Sequence, residues 1–234
     1  MIGMGRLLAA AVMTMTAVSS PIRLLAASAA PCPDLQVVFA RGTMEPPGIG
    51  QTGQAFVDAL SSRVGGKPID VYAVDYPASL DFPTAADGVI DAGNHLTSMA
   101  HNCPNTKMVL GGYSQGAAVA GYVTADAIPA GYTPPAGITG PMPADVANHL
   151  VAVALFGKPS NTWLEAHDAP PITIGHLYSR KTIELCADGD PICSAEGSDN
   201  AAHTLYAVND MPGQAADFVA RGLGPGWDNS GQPS

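Results

Sequence analysis

A chain of 234 residues with 20 acidic side chains against 10 Lys and Arg carries a formal net charge of −10. That excess of acid argues against nucleic acid as a partner and against electrostatic docking on anionic lipid. With 47% hydrophobic and 13% charged residues, the chain can bury a sizeable core, and its length suits one α/β domain behind a leader.

The leader comes first. MIGMGRLLAAAVMTMTAVSS sets Arg6 ahead of an apolar run from Leu7 to Val18. A run this short suits a signal-peptide core, whereas a bilayer span takes roughly 18–20 residues. Pro21 and Arg23 interrupt the stretch beyond it, and small residues at Ala27 and Ala29 suit a cleavage site after Ala29 or Ala30. The expectation is a signal peptide over 1–30 and a secreted product. Its removal takes away two Arg and no acid, moving the charge from −10 to −12. No later segment is long and apolar enough to cross a membrane. All four cysteines, Cys32, Cys103, Cys186 and Cys193, lie beyond the leader. An even count in a secreted chain reads as two disulfides with three possible pairings. No CxxC pair or histidine cluster accompanies them, so a zinc site is disfavoured.

LQVVFA (35–40) is a short apolar run between polar loops, as a buried parallel strand would be. A Gly/Pro-rich loop, RGTMEPPGIG, comes after it. Phe56, Val57, Leu60 and Val64 then fall at helical spacing. IDVYAV (69–74) predicts a second strand, and a helix is expected from about Thr84 to His101. TKMVLGG (106–112) predicts the third strand and QGAAVAGYVTADA the next helix. IPAGYTPPAGITGPMP is too rich in Pro and Gly to be regular and reads as a surface loop. LVAVALFG (150–157) predicts the fourth strand and IGHLYSR (174–180) the fifth. HTLYAVND and MPGQAADFVARGL read as short closing helices, and 224–234 as a disordered tail. Strands alternating with helices predict a mostly parallel five-stranded sheet with helices on both faces.

GGYSQGAA (111–118) carries the chemistry. Gly112-Tyr113-Ser114-Gln115-Gly116 fits G-x-S-x-G, a weak signal alone. Here an apolar strand enters it and a small-residue helix leaves, the setting of a nucleophile elbow. Ser114 would sit at the helix N-terminus, where the dipole favours developing negative charge. A serine hydroxyl needs a base to take its proton, and strand–elbow–helix hydrolases supply Ser, then acid, then His along the chain. Of six histidines, His95 and His101 fall on the helix before the third strand and read as surface residues. His149 precedes a strand, and His176 is placed in one. Only His203 comes after CADGDPIC (186–193), whose Asp188 and Asp190 both stand in order to be the acid.

These stretches resemble the cutinase family of serine esterases, found in fungi and actinobacteria. Four features carry the resemblance over Cys32 to Leu223: RGT after the first strand, GYSQG at the elbow, CADGDPIC, and a His on its C-terminal side. The resemblance implies an α/β-hydrolase fold, Ser114 as nucleophile, His203 as base and, through the Gly189-Asp190 step, Asp190 as acid. It implies the disulfides Cys32–Cys103 and Cys186–Cys193. Cys32 and Cys103 each precede a predicted strand by three residues, so neighbouring strands one and three would bring them to one sheet edge. The backbone N–H of Gln115 is the first expected oxyanion donor. Thr43, the hydroxyl residue after Arg-Gly, is the second. Met44 and EPPG beyond it depart from the family's polar pattern. A calcium reading of 188–199 fails because Cys193 stands where a turn Gly is wanted.

The expected protein is therefore a secreted, monomeric cutinase-like α/β-hydrolase over 31–223. It would cleave cutin-like polyesters or short- to medium-chain acyl esters through an acyl-enzyme, with no metal or cofactor. The alternatives are a lipase, phospholipase or acetylxylan esterase on the same scaffold, and a non-catalytic cell-envelope binding protein. An ordered triad, which a binding module does not need, argues against the last.

Overall fold

The computed structural model describes residues 31–227; the leader expected over 1–30 lies outside them. The described chain runs β1 (Leu35–Ala40), α1 (Gly50–Arg63), β2 (Asp70–Ala73), α2 (Ala85–Asn102), β3 (Lys107–Tyr113), α3 (Gln115–Val123), β4 (Leu150–Phe156), α4 (Asn161–Ala166), β5 (Thr182–Leu185) and α5 (Met211–Leu223). The strands form one sheet in the order β2-β1-β3-β4-β5, every pairing parallel.

Strand alternation assigns the two faces. Leu35, Val37 and Phe39 of β1 join Val109, Ala152, Ala154 and Phe156 under α1 and α5. Val38 and Ala40 join Met108, Leu110, Val153 and Leu155 under α2 and α3. Both faces are covered, so β1 is buried along its whole length, as central strands of parallel sheets are. Phe39, Phe56 and Phe156 meet with ring centroids 5.8–6.2 Å apart, a geometry contributing about 0.5–1.5 kcal/mol per pair beyond burial. Cys32 and Cys103 are bonded where β1 and β3 begin, and Cys186 is bonded to Cys193.

The fifth strand is not where hydrophobicity placed it. IGHLYSR forms a turn in which Tyr178 N and Ser179 N both donate to Gly175 O at 2.9 Å. The true β5, TIEL, is a four-residue edge strand with only Leu185 buried, so it needs no apolar run. His176 is accordingly in a turn, its Nδ1 3.0 Å from the Asp126 carboxylate. HTLYAVND forms only a 3-10 turn at Ala202–Thr204. Helix α4, capped by Ser160 Oγ accepting from Trp163 N, had no counterpart in the periodicity. His95 is half-buried rather than free in solvent, stacked on Tyr72 at 3.5 Å. Among the described residues no helix is long and apolar enough to cross a membrane. Trp227, inside the expected tail, receives Lys67 Nζ 4.5 Å above its ring.

Candidate active site

Strand order creates the crevice. The chain leaves β1 for β2 on one side and returns to β3 on the other. The loops after β1 and β3 therefore diverge at the C-terminal ends of the strands, where open α/β sheets bind ligands. Ala40 pairs with Gly112 at that edge, which sets Ser114 beside the loop carrying Thr43.

Ser114 has φ 55 and ψ −118, a backbone region costly for a residue with a Cβ. Its N–H donates to Phe156 O at 2.9 Å, and its carbonyl accepts from Ala118 N at 3.1 Å, so strand β4 and helix α3 hold the strained residue between them. Two glycines permit the turn. A Cβ on Gly112 would stand 2.1 Å from Gly116 O, and one on Gly116 would stand 2.0 Å from Ala40 O.

His203 Nε2 lies 2.8 Å from Ser114 Oγ, and its Nδ1 lies 2.7 Å from Asp190 Oδ2. Asp190 is fully buried, yet both of its oxygens are satisfied. Oδ1 accepts from Ile192 N at 2.8 Å, and Oδ2 accepts from Tyr206 Oη at 2.7 Å. The disulfide loop thus supplies the acid together with a backbone donor for it. Asp188 makes no such contact. Cys193 Sγ lies 3.1 Å from Asp190 Oδ2, and Ser160 N donates to Ile192 O at 2.8 Å, tying the loop to the N-cap of α4.

Tyr206 and Tyr113 were not singled out by sequence. Tyr206 is fully buried and accepts from Ala187 N at 2.9 Å while donating to Asp190. Burial raises its pKa far above the usual phenol range, so it remains a donor. Tyr113 Oη donates to His203 O; burial pushes its phenol up to about 12. The position of Tyr206 three residues after His203 is the one signal that could have found it, since a turn returns i+3 to the same side.

The loop after β1 is held from within. Arg41, nearly buried, donates from Nε to Glu45 O at 2.9 Å and from Nη2 to Tyr76 O at 2.7 Å. Glu45 accepts from Gly42 N at 2.6 Å and from Gln51 N, in the first turn of α1, at 2.9 Å. Met44, at φ 64, donates its N–H to Ala78 O at 2.7 Å. The Met44-Glu45 departure is therefore part of the brace around Thr43. Gln115 donates from Nε2 to Ser79 O at 3.0 Å, joining the loop after β2 to the elbow.

A family model, Cutinase, matches residues 31–223. The chain belongs to the cutinase family. It is 54% identical to the probable carboxylesterase Culp5 of Mycobacterium tuberculosis over 175 residues, covering 75% of this chain and 99% of that one. It is 47% identical to the carboxylesterase Culp1 of the same organism over 214 residues, covering 90% and 91% of the two chains. A Trichoderma reesei cutinase solved with a phosphonate inhibitor superposes with TM-score 0.61 at 32% identity, over 82% of this chain and 78% of that one. This cutinase-family chain is a carboxylic-ester hydrolase of the α/β-hydrolase fold.

Proposed function

We propose that ester cleavage runs through Ser114, His203 and Asp190, with the backbone N–H groups of Thr43 and Gln115 as oxyanion donors. The observation carrying this reading is the continuous relay of 2.8 and 2.7 Å from Ser114 Oγ to a buried carboxylate. Ser114 Oγ attacks the ester carbonyl carbon as its proton passes to His203 Nε2, and the oxyanion turns toward the two N–H donors. Collapse breaks the ester C–O bond, and the alcohol leaves with the proton from Nε2. Water then attacks the acyl-enzyme, delivering a proton to Nε2, and the acid departs as that proton returns to Ser114. Asp190 fixes the imidazole through Nδ1 and stabilises the imidazolium without taking its proton.

The rim supports esters of lipophilic acids. Met44 and Leu80 are 73 and 81% exposed, and Leu205 is 45% exposed. Each belongs to a segment already tied to the site: Met44 comes after Thr43, Leu80 after Ser79, and Leu205 after His203. Apolar side chains at such a mouth favour acyl esters or polyesters over charged soluble ones. The two disulfides support a secreted protein, with the leader over 1–30 and a single monomeric catalytic domain over 31–223. A serine-reactive phosphonate should label the wild type at Ser114 and leave Ser114→Ala unlabelled, with esterase turnover lost by about 10² or more. A folded Ser114→Ala enzyme keeping more than a few per cent of wild-type rate would sink the assignment.

A further inference from the structure

Helix α2 presents more apolar surface than the sheet needs. Ala85, Gly88, Ala92, Leu96 and Ala100 are its buried row. A second row, Ala86, Val89, Ile90, Gly93 and Thr97, lines a cavity of about 270 Å³. Its other walls are the end of α3 at Tyr122 and Val123, the irregular segment 127–143 and residues 167–170. It is a trough partly open to solvent, and its walls show why it does not collapse. The roof holds five prolines, at 129, 134, 135, 141 and 143, which stiffen it, while Ala86 and Gly93 keep the floor low.

The lining specifies the ligand. It is mostly aliphatic and aromatic and contains no Lys or Arg; its polar members include Asn94, Thr97, Thr139, His167 and Asp168. Its apolar majority suits an alkyl chain whose polar end is held elsewhere. One end of the cavity is formed by Phe82 and Pro83, three and four residues after Ser79, whose carbonyl is bonded to the Gln115 side chain. Phe82 packs against Trp163 at 5.5 Å and on the cluster containing Ala118, one turn beyond Ser114. The deeper wall at Tyr122 is eight residues beyond Ser114 on the same helix, about 12 Å along its axis. Thr43, Ser114, Gln115 and His203 are not among the lining residues, so a chain starting at the nucleophile must be long to reach this space.

We propose that the trough between α2 and segment 127–143 holds the distal methylenes of a long acyl chain whose ester carbonyl sits at Ser114. The proposal rests on the Ser114 reading above and adds what that reading lacks, a structural basis for chain length. The alkyl tail passes Phe82 and lies along α2, whose lining from Ala86 to Thr97 extends about 16 Å. Each methylene moved from water into the trough favours binding by about fourfold. Short-chain esters reach none of it.

Gly93 offers a clean test. A Cβ there meets nothing within 4 Å, and Leu is a better helix former than Gly, so Gly93→Leu adds side-chain volume at the trough from an unstrained point of attachment. The expected result is unchanged kcat/KM on p-nitrophenyl butyrate and a fall of about 15–60-fold on p-nitrophenyl palmitate, from two or three displaced methylenes. Gly93→Ala should fall between the two, and the melting temperature should not drop. A folded Gly93→Leu enzyme with the wild-type ratio of palmitate to butyrate turnover overturns the proposal. So does an equal loss on both esters with phosphonate labelling intact, because the trough would then serve the site rather than the chain. Wild-type protein that neither turns over butyrate nor takes the phosphonate refutes the Ser114 reading itself, and this proposal with it.

Discussion

Replacing Tyr206 by Phe removes one oxygen from a fully buried site and leaves the ring in place. That oxygen donates to Asp190 Oδ2 at 2.7 Å and accepts from Ala187 N at 2.9 Å. A hydrogen bond to a charged group contributes about 1.5–3 kcal/mol, and a buried donor left unpaired costs about 1–3 kcal/mol. The variant should therefore lose about 2.5–6 kcal/mol of stability, a melting point lower by about 5–20 °C for a domain of this size. Its catalytic signature is separate. Without the phenol, His203 Nδ1 is the remaining side-chain donor to Oδ2 among the described residues, so the carboxylate is held less firmly and the imidazole it orients is less well placed. The kcat on p-nitrophenyl butyrate should fall by about three- to tenfold with KM little changed, because the Ser114–His203 contact survives. Both constants are measured well below the variant's melting point. A folded Tyr206→Phe enzyme with a lowered melting point and an unchanged kcat refutes the reasoning; Tyr206 would then support the fold and not position the acid.

The two disulfides should separate stability from activity. They close sequence separations of 71 and 7 residues, so the chain-entropy argument gives about 4.4 kcal/mol for Cys32–Cys103 and about 2.5 kcal/mol for Cys186–Cys193. Serine pairs should lower the melting temperature in that order. Turnover should fall in the reverse order, by tenfold or more for the Cys186/Cys193 pair, and near-normal turnover in that variant would reduce the clamp to a staple. His95 should shape the pH dependence of stability. Burial lowers its pKa, while Asp91 and Asp70 oppose the shift without cancelling it. The unfolded chain thus takes up its proton at a higher pH than the folded one. This contribution is full above about pH 6.5 and is lost as pH falls toward the folded value. Melting curves should show His95→Gln losing less stability than the wild type between about pH 7 and about pH 5, and parallel slopes would exclude the effect.

The interior of the fold was legible because its signal is compositional. Strands β1, β3 and β4 are buried on both faces and read as continuous apolar runs, so LQVVFA, MVLGG and LVAVALF announced themselves. Edges carry no such signal. β5 has one buried residue of four, and IGHLYSR, with Ile174, Leu177 and Tyr178, drew the assignment because apolar residues do not reveal that Gly175 starts a turn. Helix α4 is six residues long, too short to show a period. HTLYAVND failed for a related reason: its apolar residues do not share one helical face, with Tyr206 turned inward to Asp190 and Leu205 and Val208 left exposed.

The site divides along the same physical line. Ser114 was legible because an elbow needs small residues at fixed offsets on both sides, and the close approaches at Gly112 and Gly116 leave that requirement in the sequence. His203 and Asp190 were legible only through chain order and the family's loop, since a lone histidine or aspartate carries no local mark of its partner. Tyr206 left only its three-residue spacing from His203, and Arg41 and Glu45 left no mark of the bonds they make. Each acts through one or two hydrogen bonds to backbone or carboxylate across the fold, and such bonds leave no period in the chain. The cavity under segment 127–143 obeys the same logic. A proline-rich stretch reads as an irregular loop, but whether it packs against α2 or stands off from it depends on side-chain volumes on two distant segments. Gly93 is the position where that difference becomes measurable: in the sequence it is one of two glycines among the eighteen residues of α2, and in the structure it is the low floor of a space long enough for an acyl chain.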